Sequence, residues 1–118
     1  MKQIYVPRAE KYLFVIIFSL FILLFGAVSN TFVYESNGCK MPVRSDYHYS
    51  TDTHFSFRDS SEVNHSFLAD RFHIINVTYS IGDFLLYSSA IIFILFLVLY
   101  RIEVRKRKEV NVLEKYSL

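Results

Sequence analysis

Four histidines share one segment of the chain with four aspartates, a combination of residue types that is typical of metal sites. The histidines are His48, His54, His65 and His73, and the aspartates are Asp46, Asp52, Asp59 and Asp70. On a strand, His48 and His54 would lie ~20 Å apart. On a helix, His65 and His73 would lie ~12 Å apart. Because no single element can bring either pair to one ion, we expect solvated histidines, no metal site and no cofactor.

Cys39 is the one cysteine of the chain, and Lys40 follows it directly. A neighbouring ammonium group can activate a thiol, but a nucleophilic cysteine also needs a base held beside it. The sequence has no such arrangement at a recognisable spacing, and a single cysteine cannot form an internal disulfide. We therefore expect Cys39 to occupy a turn, and we expect the chain not to be an enzyme.

Two long uncharged runs must position these residues, one over 12–34 and one over 84–100. As helices that rise ~1.5 Å per residue, the runs would reach ~35 Å and ~26 Å. The hydrocarbon core of a bilayer is ~30 Å thick. We expect a first transmembrane helix over 12–34 and a second over 81–100, which gains length from the preceding turn and from snorkelling by Arg101.

The first run has an alternative interpretation as a cleavable signal peptide. Three basic residues precede it, and Ala27, Val28 and Ser29 resemble a small-x-small cleavage site. The apolar stretch is long for a signal peptide, so we favour a membrane-spanning helix.

The distribution of charge predicts the orientation of these helices. Residues 1–11 carry three basic residues and residues 101–118 carry six, whereas residues 35–83 carry four basic and seven acidic residues. By the positive-inside rule, 1–11 is a cytoplasmic N-terminal segment, 101–118 is a basic cytoplasmic tail, and 35–80 is an extracytoplasmic insert. The formal net charge is only +2, with charge confined to these segments, so we expect no nucleic-acid partner.

The basic tail lies next to the second predicted helix. We expect its side chains to face anionic lipid of the inner leaflet, which makes the bilayer itself a partner. The residues concerned are Arg101, Arg105, Lys106, Arg107 and Lys108. A plain stop-transfer anchor explains them better than a dedicated docking patch.

The insert has patterns of its own. β-Favouring residues alternate with polar ones over 47–57, which predicts a half-buried strand. A lone strand is not stable, and 74–79 is the best candidate for its partner. Asp59 and Glu62 predict the start of a short helix between them. The fold class that we expect is an all-α membrane hairpin of two transmembrane helices with a small mixed α/β extracytoplasmic insert.

Ser80 and Asp83 form an S-x-x-D capping box directly before the second apolar run. If this box only caps the helix, Ser80→Thr and Ser80→Asp should be nearly silent. Small or polar residues at matched depth also predict where the two helices pack on each other, because lipid tails are as apolar as leucine and helices associate through close backbone approach. These packing residues are Gly26, Ser29, Asn30, Ser88 and Ser89.

Three short motifs occur in a fixed order along the chain. They are N-G-x-x-M-P-V from Asn37, L-x-D-x from Leu68 and S-I-G-D-x-L-L from Ser80. In this order they resemble a family of small bacterial membrane proteins catalogued only as a domain of unknown function, and the likeness covers roughly Gly26 to Leu95. Members often carry extra spans before the M-P-V turn, and glycine is common where Cys39 stands. The resemblance implies a bacterial cytoplasmic (inner) membrane and brings no biochemical activity with it.

Two functions are compatible with these features. The first is a non-enzymatic accessory or assembly subunit, because two helices and an aromatic insert leave apolar faces for a larger integral membrane protein or a second copy to cover. The alternative is a stand-alone extracytoplasmic sensor or ligand-binding membrane protein, with the insert as receptor.

Overall fold

The computed structural model describes residues 7–117, which form two long helices with short strands and 3-10 turns between them. The first helix, α1, covers Pro7–Ser36, and the second, α2, covers Ile81–Tyr116. Each is long and apolar enough, by length and composition, to cross a membrane. The coarse form of the expected fold, two such helices with a small α/β segment between them, is therefore present.

Both helices extend beyond the apolar runs. α1 begins at Pro7, a residue that suits the first helical position because its missing N–H would be unpaired there. α2 continues past Tyr100 to Tyr116, because residues 101–116 are rich in helix-forming residues and contain neither glycine nor proline. The basic residues of the tail are therefore helical.

The chain divides into two compact units. The loop unit is Ile22–Ser88, and the terminal unit consists of the described residues 7–21 and 89–117. In the terminal unit, Tyr12 meets Phe96 edge to face with ring centroids 5.7 Å apart. Ser19, also in that unit, is buried and donates to the carbonyl oxygen of Ile16.

The end of α1 is a tight turn. The amides of Asn37 and Cys39 both donate to the carbonyl oxygen of Tyr34. Gly38 and Cys39 have φ values of +70° and +59°, which place two successive residues in the left-handed region. Glycine adopts that conformation at no steric cost, whereas Cys39 adopts it with a side chain that is exposed to solvent. Cys39 thus occupies a turn, as expected.

The predicted strand over 47–57 is wrong over most of its length. The chain reverses within it, since the Thr51 amide donates to the carbonyl oxygen of His54 and the Ser56 amide donates to that of Tyr49. The Thr51 hydroxyl accepts from the His54 amide at 3.0 Å, and such side-chain bonds favour turns over strands. The alternation of residue types continues through the reversal, which is why the sequence pattern resembled one long strand, but burial along β2 does not alternate.

The strands also pair differently from the prediction. β1 (Met41–Arg44) lies parallel to β2 (His54–Phe57), with Met41 opposite His54. The stretch that was predicted as the partner instead forms a separate hairpin of β3 (Phe72–Ile74) and β4 (Val77–Tyr79).

The β3–β4 turn consists of two residues, Ile75 and Asn76, both with positive φ. This turn geometry matches the twist of a two-residue hairpin, so β4 folds back on its sequence neighbour. Two short 3-10 turns, Ser60–Glu62 and Ser66–Leu68, replace the predicted helix. The expected cap is present at the first, where the Asp59 amide donates to the Glu62 carboxylate and the Ser61 amide donates to Asp59.

The core of the loop unit is small and comes from α1, the β1–β2 pair and the segment before β3. Its buried apolar residues are Val33, Met41, Pro42, Val43, Phe57 and Ala69. By contrast, many large apolar side chains on the helices, such as Phe21 and Ile91, are exposed. An apolar surface of that kind needs a bilayer or another protein to cover it.

Within the loop unit, α1 and α2 approach each other through glycines. A Cβ atom added to Gly26 would lie 2.8 Å from the carbonyl oxygen of Gly82. One added to Gly82 would lie 2.0 Å from Asn30 Oδ1 and 2.9 Å from the carbonyl oxygen of Gly26. The two backbones are therefore too close to admit any side chain at either position.

We expect Gly26→Ala to lower the free energy of unfolding by about 1–3 kcal/mol, because the added methyl group would force the two backbones apart. Thermal unfolding of the purified full chain in detergent measures this loss. Val28→Ala, at an exposed position two residues along the same helix, is the matched control and should change stability little. Equal stability of the two variants would contradict the close backbone contact.

Candidate functional site

The start of α2 is joined to α1 by a closed set of side-chain hydrogen bonds. The Ser80 amide donates to Asp83 Oδ2 at 2.9 Å, and the Asp83 amide donates to Ser80 Oγ at 3.0 Å. Asn30 Nδ2 donates to Asp83 Oδ1 at 2.8 Å, and Ser80 Oγ donates to Asn30 Oδ1 at 2.9 Å. We call these bonds the Asn30–Ser80–Asp83 network. Both carboxylate oxygens of Asp83 have partners in it.

The network contains the expected capping box and adds Asn30 to it. Sequence spacing placed Asn30 among the packing residues but did not reveal its bonds to residues 50 and 53 positions away. Ser80 is completely buried, which the prediction that Ser80→Thr and Ser80→Asp are nearly silent did not take into account. Either substitution adds atoms at a buried position, where added volume usually costs stability.

The other predicted packing residues differ from one another. Ser29 and Ser89 are buried, and Ser29 donates to the carbonyl oxygen of Phe25 in its own helix. Ser88 is exposed, and its hydroxyl donates to the carbonyl oxygen of Phe84. Ser88 was expected to be a packing residue, and the structure differs there. The helix places Ser89, the next residue, at the buried position instead.

Asp70 is the buried acid of the loop unit, at 6% exposure. Its backbone is fully used, since its amide donates to the carbonyl oxygen of Pro42 and its carbonyl accepts from the amide of Arg44. The side chain of Asp70, by contrast, is not fully hydrogen-bonded. Oδ2 lies 3.8 Å from His54 Nε2, and Oδ1 has no hydrogen-bond partner among the described residues. A buried polar atom without a partner is rare in folded proteins and calls for an explanation.

The surroundings of Asp70 favour its protonated form. Burial raises the pKa of Asp70 to about 7, and the nearby charge of Asp83 acts in the same direction. The pKa of Tyr49 is raised as well, by burial and then by the charge of Asp70. Such a carboxyl group changes its charge close to neutral pH, which is typical of functional sites.

Asp70 and Asp83 both line a cavity of about 600 Å³ in the loop unit. This volume is within the usual range for small-molecule sites. The cavity is bounded by the C-terminal part of α1, the start of α2, β4 and the start of β2. Its lining residues are Asn30, Thr31, Tyr34, Glu35, Met41, Thr53, His54, Asp70, Val77, Thr78, Tyr79, Asp83 and Tyr87.

The histidines are dispersed over the loop unit. His54 lines this cavity, whereas His48 lines a different one. His65 packs on Phe32 with ring centroids 4.5 Å apart, and His73 bonds to the backbone of Arg44 and to Thr78. Over residues 7–117, no group of three or more His, Cys, Asp and Glu side chains is arranged to hold a metal ion.

Sequence reasoning considered Asp70 as one of four aspartates near the histidines and as part of the L-x-D-x motif, but not as a buried acid. Two signals could have indicated more. Asp70 follows the apolar pair Leu68 and Ala69, which suggests an acid carried inward, and Asn30 is an amide within an apolar run, where polar residues are costly and usually paired. Neither signal identifies a partner.

Comparison of the chain with protein-family models, with curated proteins and with solved structures finds no match.

The stability of the protein should fall as the pH rises from about 4 to about 7. Over this range the folded state keeps the Asp70 proton that the unfolded chain, with an ordinary pKa of 3.8, has released. Asp70→Asn mimics the protonated form at every pH, so we expect its unfolding temperature to exceed that of the wild type by more at pH 8 than at pH 5. Thermal unfolding at both pH values measures this.

The matched control is Asp46→Asn, which removes an exposed carboxylate of the same loop unit. It should leave the difference between pH 5 and pH 8 unchanged. If Asp70→Asn showed the same pH dependence as the wild type, Asp70 would not be the group that titrates.

Proposed function

We propose that this chain is an integral membrane protein whose loop unit binds a small ligand outside the cytoplasm. One observation carries the proposal, namely the buried Asp70 carboxylate that lines a cavity of about 600 Å³ with one oxygen unpartnered. Proteins rarely leave a buried carboxylate incompletely paired, and a ligand donor group that enters the cavity would give this carboxylate a further partner. This is the alternative of the two functions that the sequence suggested, and it is a binding function without catalysis.

The membrane location is supported by the two apolar helices and by their exposed side chains. The charge bias supports cytoplasmic termini, since residues 101–118 carry six basic residues and residues 35–83 only four. In this orientation the cavity lies at the outer surface of the bilayer, because Asn30 and Asp83, at the outer ends of the two spans, both line it. The resemblance to small bacterial membrane proteins favours the bacterial inner membrane.

The single native cysteine tests the orientation. Cys39 is exposed, so in intact cells it should react with a membrane-impermeant maleimide. A Cys39→Ser, Ser117→Cys variant should react only after permeabilisation, because position 117 is cytoplasmic in this topology. The reverse pattern would overturn the topology and the extracytoplasmic site together.

An accessory or assembly subunit is the second candidate function. The β3–β4 turn favours it, since Ile75 is 90% exposed and Ile74 and Val77 are about half exposed. Ile75 also has a φ of +43°, which is unfavourable for a β-branched residue. An apolar side chain at a strained and exposed position has a ready explanation if a larger membrane protein covers it.

Affinity purification of the full chain from detergent extracts distinguishes the two functions. A ligand-binding protein should purify without a stoichiometric partner. A subunit should bring a membrane protein with it and lose that protein in an Ile75→Asn variant. Asparagine accepts positive φ more readily than isoleucine, so this variant should keep the fold and its loss of partner would not reflect unfolding. Stoichiometric capture of that kind would replace the first function by the second.

A further inference from the structure

The unpartnered oxygen of Asp70 indicates what chemical group the cavity accepts. In its ionised form, which prevails above the pKa of about 7, Asp70 is a hydrogen-bond acceptor only, so its missing partner there must carry an N–H or O–H group. The opposite oxygen faces His54 Nε2 at 3.8 Å, which is too long for a hydrogen bond. Beside a neutral His54 ring, Asp70 therefore offers a carboxylate that has no hydrogen-bonded partner and no positive charge next to it among the described residues.

The other residues of the cavity favour a positive charge on that partner. Glu35 and Asp83 line the same space as Asp70. Both oxygens of Asp83 are occupied in the Asn30–Ser80–Asp83 network, so Asp83 contributes its charge to the cavity without needing a new donor. A bound cation would also relieve the repulsion between Asp70 and Asp83, which raises the energy of the empty site when both are ionised.

Aromatic and apolar side chains complete the site. Tyr34, Tyr79 and Tyr87 line the cavity, and Tyr79 meets Tyr87 edge to face with ring centroids 6.3 Å apart. Tyrosine faces attract cations placed against them. Met41 and Val77 add apolar surface, so the site suits a cationic group that is attached to a hydrocarbon body.

We propose that the cavity binds a primary alkylammonium ion, with its N–H groups donating to the Asp70 carboxylate and its carbon chain lying against Met41, Val77 and the tyrosines. This inference rests on the proposed ligand-binding function and specifies its ligand class. A primary ammonium has three N–H donors, whereas a quaternary ammonium has none and cannot form a hydrogen bond to the Asp70 carboxylate. The ammonium comes either from a free amine or from an ethanolamine headgroup in the outer leaflet.

Binding should depend on pH, because the ammonium pairs with ionised Asp70. Four other titratable groups lie near Asp70 or line the same cavity. They are His54 on β2, Asp83 on α2, Tyr49 on the neighbouring hairpin arm and Glu35 on α1. A proton on His54 would add a competing positive charge, so it acts in the same direction as a proton on Asp70. With a pKa of about 7 for Asp70, affinity should fall about tenfold from pH 8 to pH 6.

Isothermal titration calorimetry on the full chain in detergent and amine-free buffer tests the proposal. At pH 8 we expect n-butylammonium to bind, and we expect tetramethylammonium, neutral butyramide and calcium chloride not to. Asp70→Asn should weaken n-butylammonium binding at least about tenfold, since a charge-assisted bond is lost. Asp46→Asn removes the same charge from an exposed position outside the cavity and should bind as the wild type does.

The possible outcomes separate this inference from the proposed function. Binding of butyramide, tetramethylammonium or calcium in place of n-butylammonium, with loss of binding in Asp70→Asn, would overturn the ligand class and keep the ligand-binding function. Binding of no probe to the wild type would overturn both. Equal n-butylammonium binding by Asp70→Asn and the wild type would also overturn the inference, and unfolding would not explain that result because Asp70→Asn is expected to be the more stable protein at pH 8.

A second experiment identifies the source of the ammonium group. The same titration is repeated in nanodiscs of phosphatidylcholine and in nanodiscs that also contain phosphatidylethanolamine. Weaker n-butylammonium binding in the second kind would support competition by the lipid headgroup, and equal binding would support a free amine. Absence of binding in both kinds would overturn the proposal for the membrane-embedded protein.

Discussion

The Asn30–Ser80–Asp83 network is the interaction on which the loop unit depends. It joins the last turns of α1 to the first turn of α2. The donors and acceptors of its four hydrogen bonds all belong to these three residues. Its geometry requires glycine at position 82, because Asn30 Oδ1 occupies the place of a side chain there. Gly26 approaches the same backbone, since a Cβ atom added there would lie 2.8 Å from the carbonyl oxygen of Gly82.

The network also determines the character of the cavity. It holds Asp83 at the cavity wall with both oxygens bonded, so a fixed charge remains near Asp70. The backbone of Asp70 is held by bonds to Pro42 and Arg44, and its side chain lies buried beside the cavity. Burial of the carboxyl group raises its pKa, and the charge of Asp83 acts in the same direction.

Sequence reasoning succeeded where the signal was local. The two helices follow from uninterrupted apolar runs, and the bonds at Ser80 and Asp83 follow from a four-residue motif. It failed for the strands, because alternation does not show where a chain reverses and the Thr51 turn lies inside the pattern. Strand β1 contains Pro42, which argues against a strand, yet Pro42 contributes only its carbonyl oxygen there, as acceptor for Asp70.

The cavity was beyond sequence reasoning for a different reason. Its lining residues extend from Asn30 to Tyr87 and come from six separate parts of the chain. No spacing rule connects a carboxylate after a 3-10 turn to another on the first turn of a helix. What could be recognised from sequence was the type of each residue, whereas the shared space depends on the pairing of β1 with β2 and on the turn between β3 and β4.

The separation of Asn30 from its partners has a consequence for biosynthesis. Asn30 leaves the ribosome 50 residues before Ser80 and 53 before Asp83, so its amide group has no network partner during most of the synthesis of the loop. In the proposed topology, α1 enters the membrane first and the loop crosses it without a completed interior. The loop unit then closes only when the first turn of α2 arrives, which makes insertion of the second helix and folding of the exported segment a single late event.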